Sequence, residues 1–224
     1  MFVEVNHGPF VVDNNLFLSA VSLLDMSEGG AYAHNLFTGK IISRPEPGRD
    51  TPYHPAHTTA LAGLVNIKGS DNRFHNNIFV GQGESAKREP KQAAGFGLWV
   101  YDARELPLQT SGNVYYNGAQ PYARETNHVA QLGINPKIKV VEEGGKITLH
   151  LNLGSGLEQV TTPLVTSELL GKAKIPGLPY ENADGSPLKI DSDYFGKKRN
   201  ERNPTTGPFE ALGAEPRTLK IWRP

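Results

Sequence analysis

The sequence predicts an all-β chain wound as a parallel β-solenoid, and three observations carry that reading. Four segments repeat an asparagine followed by an aliphatic and then an aromatic residue: Asn15-Leu16-Phe17, Asn35-Leu36-Phe37, Asn77-Ile78-Phe79 and Asn113-Val114-Tyr115. The asparagines lie 20, 42 and 36 residues apart, close to one coil, close to two, and a longer step holding the polar insertion GQGESAKREPKQ. The 24 glycines and 17 prolines among 224 residues require many short elements joined by turns. Short β-rich runs at a recurrent spacing are the mark of stacked coils, each burying its apolar side chains on the next. Leucine-rich repeats share the period, but their leucine-dense consensus is absent; an antiparallel sandwich is the remaining rival.

Taken in order, VVDNNLFLS (11–19), AYAHNLFTG (31–39), NRFHNNIFVG (72–81) and TSGNVYYNG (110–118) form the marked coils, and TTALAGLVNIKGS fills the 42-residue step as an unmarked one. Asparagine suits the corners because it tolerates the left-handed conformation and its amide can bond nearby backbone. GLWVYDA (97–103) reads as a further alternating strand, on which Trp99 is either core or a wall for a sugar ring. After Gln131 the pattern changes. KIKVVEEGGKITLHLNL (137–153) is two alternating runs around a Glu-Glu-Gly-Gly turn, which predicts a β-hairpin. TSELLGKA carries the one short helical signal, capped by Thr166 or Ser167. Beyond Pro176 the chain is rich in Gly, Pro and charge, and reads as an ordered strap running back along the coils. The division expected is therefore residues 1–131 as coils and 132–224 as hairpin and tail.

Composition excludes several functions. Twenty-three basic and 23 acidic residues leave no net charge, which argues against a nucleic-acid partner recognised through a broad basic field. No apolar run approaches the roughly 20 residues needed to cross a bilayer, so no membrane partner is expected. MFVEVNHGPFVV lacks the pattern of a signal peptide, and the location is left unassigned between cytoplasm and periplasm. With no cysteine, thiolate metal sites are ruled out. No phosphate loop, nucleotide fingerprint or nucleophilic serine motif occurs, so no cofactor is expected.

Longer stretches carry a more specific signal. NNLFLSAVSLLDMSEGGAYAHNLFTGKI, RPEPGRDTPYHPAHTT, LVNIKGSDNRFHNNIFVG and ELLGKAKIPGLPYENADGSPLKIDSDYFGKKRN together resemble the right-handed parallel β-helix β-xylosidases of glycoside hydrolase family 120, from about Asn6 to Glu210. The resemblance implies a right-handed parallel β-helix and hydrolysis of β-xylosidic bonds in xylo-oligosaccharides with retention. It also implies that early coils precede Met1 in the intact enzyme, making this chain its C-terminal part. The ending DYFGKKRNERNPTTGPFE resembles a common terminus of such helices, in which Asp193, Arg199 and Glu210 are structural.

Retaining glycosidases hold two carboxyl groups roughly 5–5.5 Å apart, and neighbouring strands lie about 4.7–4.9 Å apart. Acids on equivalent positions of adjacent coils therefore meet the retaining spacing. Asp25, read as pointing outward from VSLLDM, has Glu46 at 21 residues downstream, close to the 20-residue repeat. The resemblance implies Asp25 as nucleophile and Glu46 as acid/base, the latter needing a pKa raised by burial and by its ionised neighbour. Glu28 and Asp50 are reserve carboxylates. Arg44, Arg49, Tyr53, His54 and His57 concentrate donors, acceptors and an aromatic face beside the pair, as a sugar site needs; His34 is a further expected contact, and Asn66 and Lys68 are placed one coil on. His34 and His75 precede corner asparagines and are not expected to bind metal. Two rivals stand against the glycosidase: a polysaccharide lyase, disfavoured by the few acids available for calcium, and a non-catalytic carbohydrate-binding or structural fragment. The exposed first coil, with unpaired strand edges, also makes a homo-oligomer possible.

Overall fold

The computed structural model describes residues 1–83 and 93–222. The chain repeatedly makes a circuit through three sheets. The first circuit is β1 (Phe2–Glu4), β2 (Phe10–Asp13) and β3 (Leu16–Phe17); the second is β4 (Val21–Met26), β5 (Gly30–Ala33) and β6 (Leu36–Phe37). The third opens with β7 (Lys40–Ser43), departs through β8 (Glu46–Tyr53) and β9 (Gly63–Ile67), and resumes with β10 (Arg73–His75) and β11 (Ile78–Val80). The fourth contains β12 (Ala94–Gly95), a 3-10 turn over Leu98–Tyr101, β13 (Gln109–Ser111) and β14 (Asn113–Tyr116), after which β15 (His128–Gln131) adds a last strand.

The strands stack as β1-β4-β7-β12, β2-β5-β10-β13 and β3-β6-β11-β14-β15. All pairs in these sheets are parallel except β7 with the short β12. Register follows the asparagine repeat: Leu16, Leu36, Ile78 and Val114 form one rung, and Phe17, Phe37, Phe79 and Tyr115 the next. The rings of that second rung stack in a column at 4.9, 5.1 and 5.0 Å, with interplanar angles of 16° or less. Tyr32 and Phe74 stack beside it at 4.6 Å. Together with Leu23, Ile41, Leu98 and Tyr101 these rings fill the interior. Such offset-stacked pairs add about 0.5–1.5 kcal/mol each beyond the area they bury.

The corner chemistry differs in one detail from the sequence expectation. The repeated asparagines are not the left-handed residues; the residues before them are, with φ of 56° at Asn14, 55° at His34, 57° at Asn76 and 72° at Gly112. The asparagines instead form a ladder. The backbone N–H of Asn15 donates to the side-chain oxygen of Asn35, Asn35 to Asn77, and Asn77 to Asn113, each at 2.9 Å. Their amides repeat the link at 3.1 Å, and at the end the Asn113 amide donates to Glu125 at 2.7 Å. A buried amide must have its groups paired, and identical residues on equivalent rungs satisfy one another.

Two expected strands are replaced. TTALAGLVNIKGS is not an unmarked coil: β9 folds back antiparallel on β8, with Thr51 opposite Val65 and Tyr53 opposite Gly63. The 42-residue step is thus one circuit with a hairpin inserted. GLWVYDA is not an alternating strand but the 3-10 turn, whose four residues are all buried; Trp99 is core. GQGESAKREPKQ falls largely outside the described residues.

The last third of the chain covers two of the three sheets. β16 (Lys139–Glu143) and β17 (Lys146–Leu151) form the expected hairpin, joined antiparallel by β18 (Arg217–Trp222). Leu149 and Leu151 from this sheet, with Leu153 and Phe209, pack on Leu36, Ile78 and Val114. The short helix α1 (Ser167–Leu170) is capped by the Thr166 hydroxyl, which accepts from the Leu169 N–H. From there the strap lies on the second sheet, where Val165, Leu170, Ala173, Tyr180 and Ile190 bury Ala31 and Ala33. Arg73 anchors it by donating to the carbonyls of Leu170 and Lys172, and Tyr180 donates to Gly29. Farther along, Arg199 donates to Asn14 and to the Gly207 carbonyl, and pairs with Glu210 at 3.3 Å. The outward face of the first sheet keeps Leu24, Met26 and Ile42 only half-buried. Among the described residues no helix is long and apolar enough to cross a membrane.

Candidate functional site

The open first sheet and the β8–β9 hairpin beside it hold most residues expected to act. Alternation along β4 decides which acids reach the surface. Leu23 is wholly buried in the interior, so Asp25, two residues on, points inward with it, while Leu24 and Met26 face out. Asp25 is 1% exposed, not the outward group expected. Four donors meet its carboxylate: the backbone N–H and hydroxyl of Ser27 on one oxygen, at 3.0 and 2.5 Å, and the Asn72 amide and Tyr101 hydroxyl on the other, both at 2.8 Å. Burial pushes its pKa above the usual carboxylate range, and the bonds from Ser27, Tyr101 and Asn72 oppose that rise. Its strand neighbours are Val3 on β1 and Ser43 on β7. The residue one rung from Asp25 is therefore Ser43, and Glu46 lies three residues beyond it, past the sheet edge. The step from β4 to β7 is 18 residues at this rung rather than the 20 of the asparagine repeat, so the partner that spacing suggested falls past the end of β7.

Glu46 opens β8, half-buried, with one oxygen accepting from the Gly48 N–H at 3.1 Å. Asp50, opposite Asn66 on β9, is exposed. Glu4 on β1 shares the rung of Met26, and its carboxylate takes a 3.1 Å bond from Arg49, both more than half exposed. Glu28, in contrast, is 1% exposed and fully engaged. It pairs with His7 at 2.9 Å and accepts from the Lys68 and Gly69 N–H groups, fastening the return of the hairpin to the first circuit. Burial opposes a charge on His7, but Glu28 and the carbonyls of Val65 and Thr51 hold its pKa above 6.5. The reserve role expected of Glu28 thus has no free oxygen to serve it.

The other expected contacts separate. His34 is fully enclosed under the strap, one ring nitrogen against the Thr205 carbonyl and the other against the Asn76 amide, so it faces away from the open sheet. Tyr53 lies across Gly63, where an added Cβ would meet its hydroxyl at 2.6 Å, and sets its ring edge-on to His7. His54 closes the hairpin loop through the Ala60 carbonyl. His57 reaches Glu181 of the strap at 3.4 Å and lines a cavity of about 390 Å³ with Phe10, Asp13 and Tyr180. Lys68 is exposed and pairs with Glu105 at 2.6 Å.

Arg44 was expected in the sugar-site loop, but sequence reasoning missed Arg104. Arg104 donates to both the hydroxyl and the carbonyl of Ser43, each at 3.1 Å, and with Arg44 lines a cleft of about 420 Å³. Neither arginine belongs to a repeat, so only the folded chain brings them together. Among the described residues no group of three His, Asp or Glu side chains is placed to hold a metal.

No family model matches the chain, and no curated protein does. A solved structure of XylC in complex with xylose matches it with a TM-score of 0.89 and 31% identity, over 99% of this chain. The chain spans 37% of the length of that XylC chain.

Proposed function

We propose that the chain is part of a glycoside hydrolase acting on β-xylosides, with its substrate groove on the outward face of the first sheet. The observation that carries this is the match to XylC with xylose over 99% of the chain at 31% identity. The three parallel sheets, visited in turn on every circuit, support a right-handed parallel β-helix as the scaffold. Among the described residues the C-terminal third covers two sheets and leaves the first as the face open to a polymer.

On this reading Glu46 is the acid/base, at the rim of the face. The second carboxylate is supplied by one of the exposed acids on β1 and β8, Glu4 or Asp50. Asp25, whose oxygens already accept four bonds inside the coil, is a positioning residue that holds the floor of the groove. Retention follows if the two acids approach the roughly 5–5.5 Å separation that direct attack requires.

The test is hydrolysis of an aryl β-xyloside by the protein and by Glu46→Gln, Glu4→Gln, Asp50→Asn and Asp25→Asn, with the first-formed anomer read by NMR. Loss of turnover in Glu46→Gln and in one of Glu4→Gln and Asp50→Asn, with xylose binding kept and β-xylose released first, supports the reading. Calcium-dependent unsaturated product would assign a lyase instead. Xylose binding without turnover would assign a binding module.

A further inference from the structure

The cleft lined by Arg44 and Arg104 has a composition that a neutral xylose unit does not call for. Among the described residues its walls are Ile42, Ser43, Arg44, Pro45, Ala93, Ala94 and Arg104, which bring two cations and no acid. Arg44 is exposed, and its guanidinium has no ion-pair or hydrogen-bond partner among the described residues. Arg104 is held in place by the two bonds to Ser43, made through Nε and one terminal nitrogen. Its other terminal nitrogen makes no hydrogen bond among the described residues. Burial lowers its pKa, while Tyr101 and the enclosed Asp25 behind it favour its charge. The acid nearest in sequence, Glu105, is bound to Lys68.

A guanidinium presents a planar fork that matches a carboxylate. One arginine fixed by the backbone and a second free to close on it are suited to one carboxylate between them. The remaining wall, of Ile42, Pro45, Ala93 and Ala94, suits the C–H face of a pyranose rather than a bare inorganic anion. The volume of about 420 Å³ is within the range of small-molecule sites. Arg44 lies two residues before Glu46, so the cleft adjoins the face assigned above to the xyloside chain.

We propose that the cleft between Arg44 and Arg104 is a subsite for the carboxylate of an acidic sugar, such as a uronic acid carried on the xyloside chain. This rests on the proposed function for the chain that carries the sugar, but not for the binding of the sugar itself. The substrate class would then be acidic, branched xylosides rather than neutral ones alone.

The experiment is titration calorimetry of the protein with sodium glucuronate, xylose and inorganic phosphate in separate arms at matched ionic strength. Glucuronate should bind at least fivefold more tightly than phosphate. Arg44→Ala should weaken glucuronate at least tenfold while leaving xylose within twofold. Arg104→Lys, which keeps charge but loses the fork, should weaken glucuronate about fivefold. Equal binding of phosphate, or glucuronate binding unchanged in Arg44→Ala, would overturn the subsite. Glucuronate binding that depends on Arg44 in a protein that hydrolyses no xyloside would sink the glycosidase reading and leave the subsite standing.

Discussion

Tyr101 donates a 2.8 Å hydrogen bond to the Asp25 carboxylate across 76 residues of sequence, wholly inside the coil. The bond ties the 3-10 turn of the fourth circuit to the second. It gives a carboxyl group a place in an aromatic interior, where burial of a polar group without partners would be costly.

Asp25→Ala therefore strands the Tyr101 hydroxyl, the Asn72 amide and the Ser27 hydroxyl. Each unsatisfied buried group costs about 1–3 kcal/mol, so a loss of roughly 3 kcal/mol or more is expected in urea unfolding. Tyr101→Phe removes one donor and should cost about 1 kcal/mol. Equal effects of the two would show that Asp25 is not the hub.

Asn77 is the most connected member of the ladder. It donates through its backbone to Asn113 and through its amide to the Tyr32 and His75 carbonyls, and accepts from Asn35. Asn77→Ala should cost about 2–4 kcal/mol, several times the cost of Asn15→Ala at the half-buried end. Comparable midpoints for the two variants in urea would refute the cooperative ladder.

Glu125 and His75 should push stability in opposite directions with pH. Burial raises the Glu125 pKa to about 7, against bonds from Tyr115 and Asn113. Its proton is held more tightly in the folded chain, so its contribution is full below pH 4.5 and is lost as pH rises through 7. Burial lowers His75 to about 4, with Arg73 adding to the effect, and neither of its ring nitrogens has a hydrogen-bond partner among the described residues. Its contribution is full above pH 6.5 and is lost as pH falls toward 4. Each ramp amounts to about 3 kcal/mol, so the two largely offset between pH 4.5 and 6.5. Glu125→Gln should unmask a stability that rises with pH in that window, read by urea unfolding at half-unit steps. A pH slope in Glu125→Gln equal to that of the parent protein would count against it.

The strap depends on Arg199, which gathers the Ser192, Thr205 and Gly207 carbonyls, the Asn14 side chain and Glu210. Arg199→Ala should open the strap locally, seen as faster amide exchange at Ala33 and His34 beneath it. Removing one partner of a buried ion pair costs about 3–5 kcal/mol. Arg202→Ala, exposed nearby, should leave exchange unchanged.

What the sequence determined by itself is whatever a short window encodes. The asparagine-aliphatic-aromatic triplets were legible because each coil repeats the same local pattern, and the structure stacks them rung on rung. The hairpin at Lys139–Leu151 and the Thr166 cap were legible for the same reason, through turn and capping chemistry a few residues long. The side to which Asp25 points was not legible, because Leu23 and Leu24 are both apolar and either could have faced the core. Its donors Asn72 and Tyr101 lie 47 and 76 residues away, and no local pattern announces them. The β8–β9 insertion had a length close to one coil, so spacing alone read it as one. Glu46 was placed a rung from Asp25 because 21 residues is close to the 20-residue repeat, whereas the first sheet steps by 18 there. Only the pairing of strands distant in sequence assigned that rung to Ser43 and set Arg44 and Arg104 on one cleft beside the first sheet.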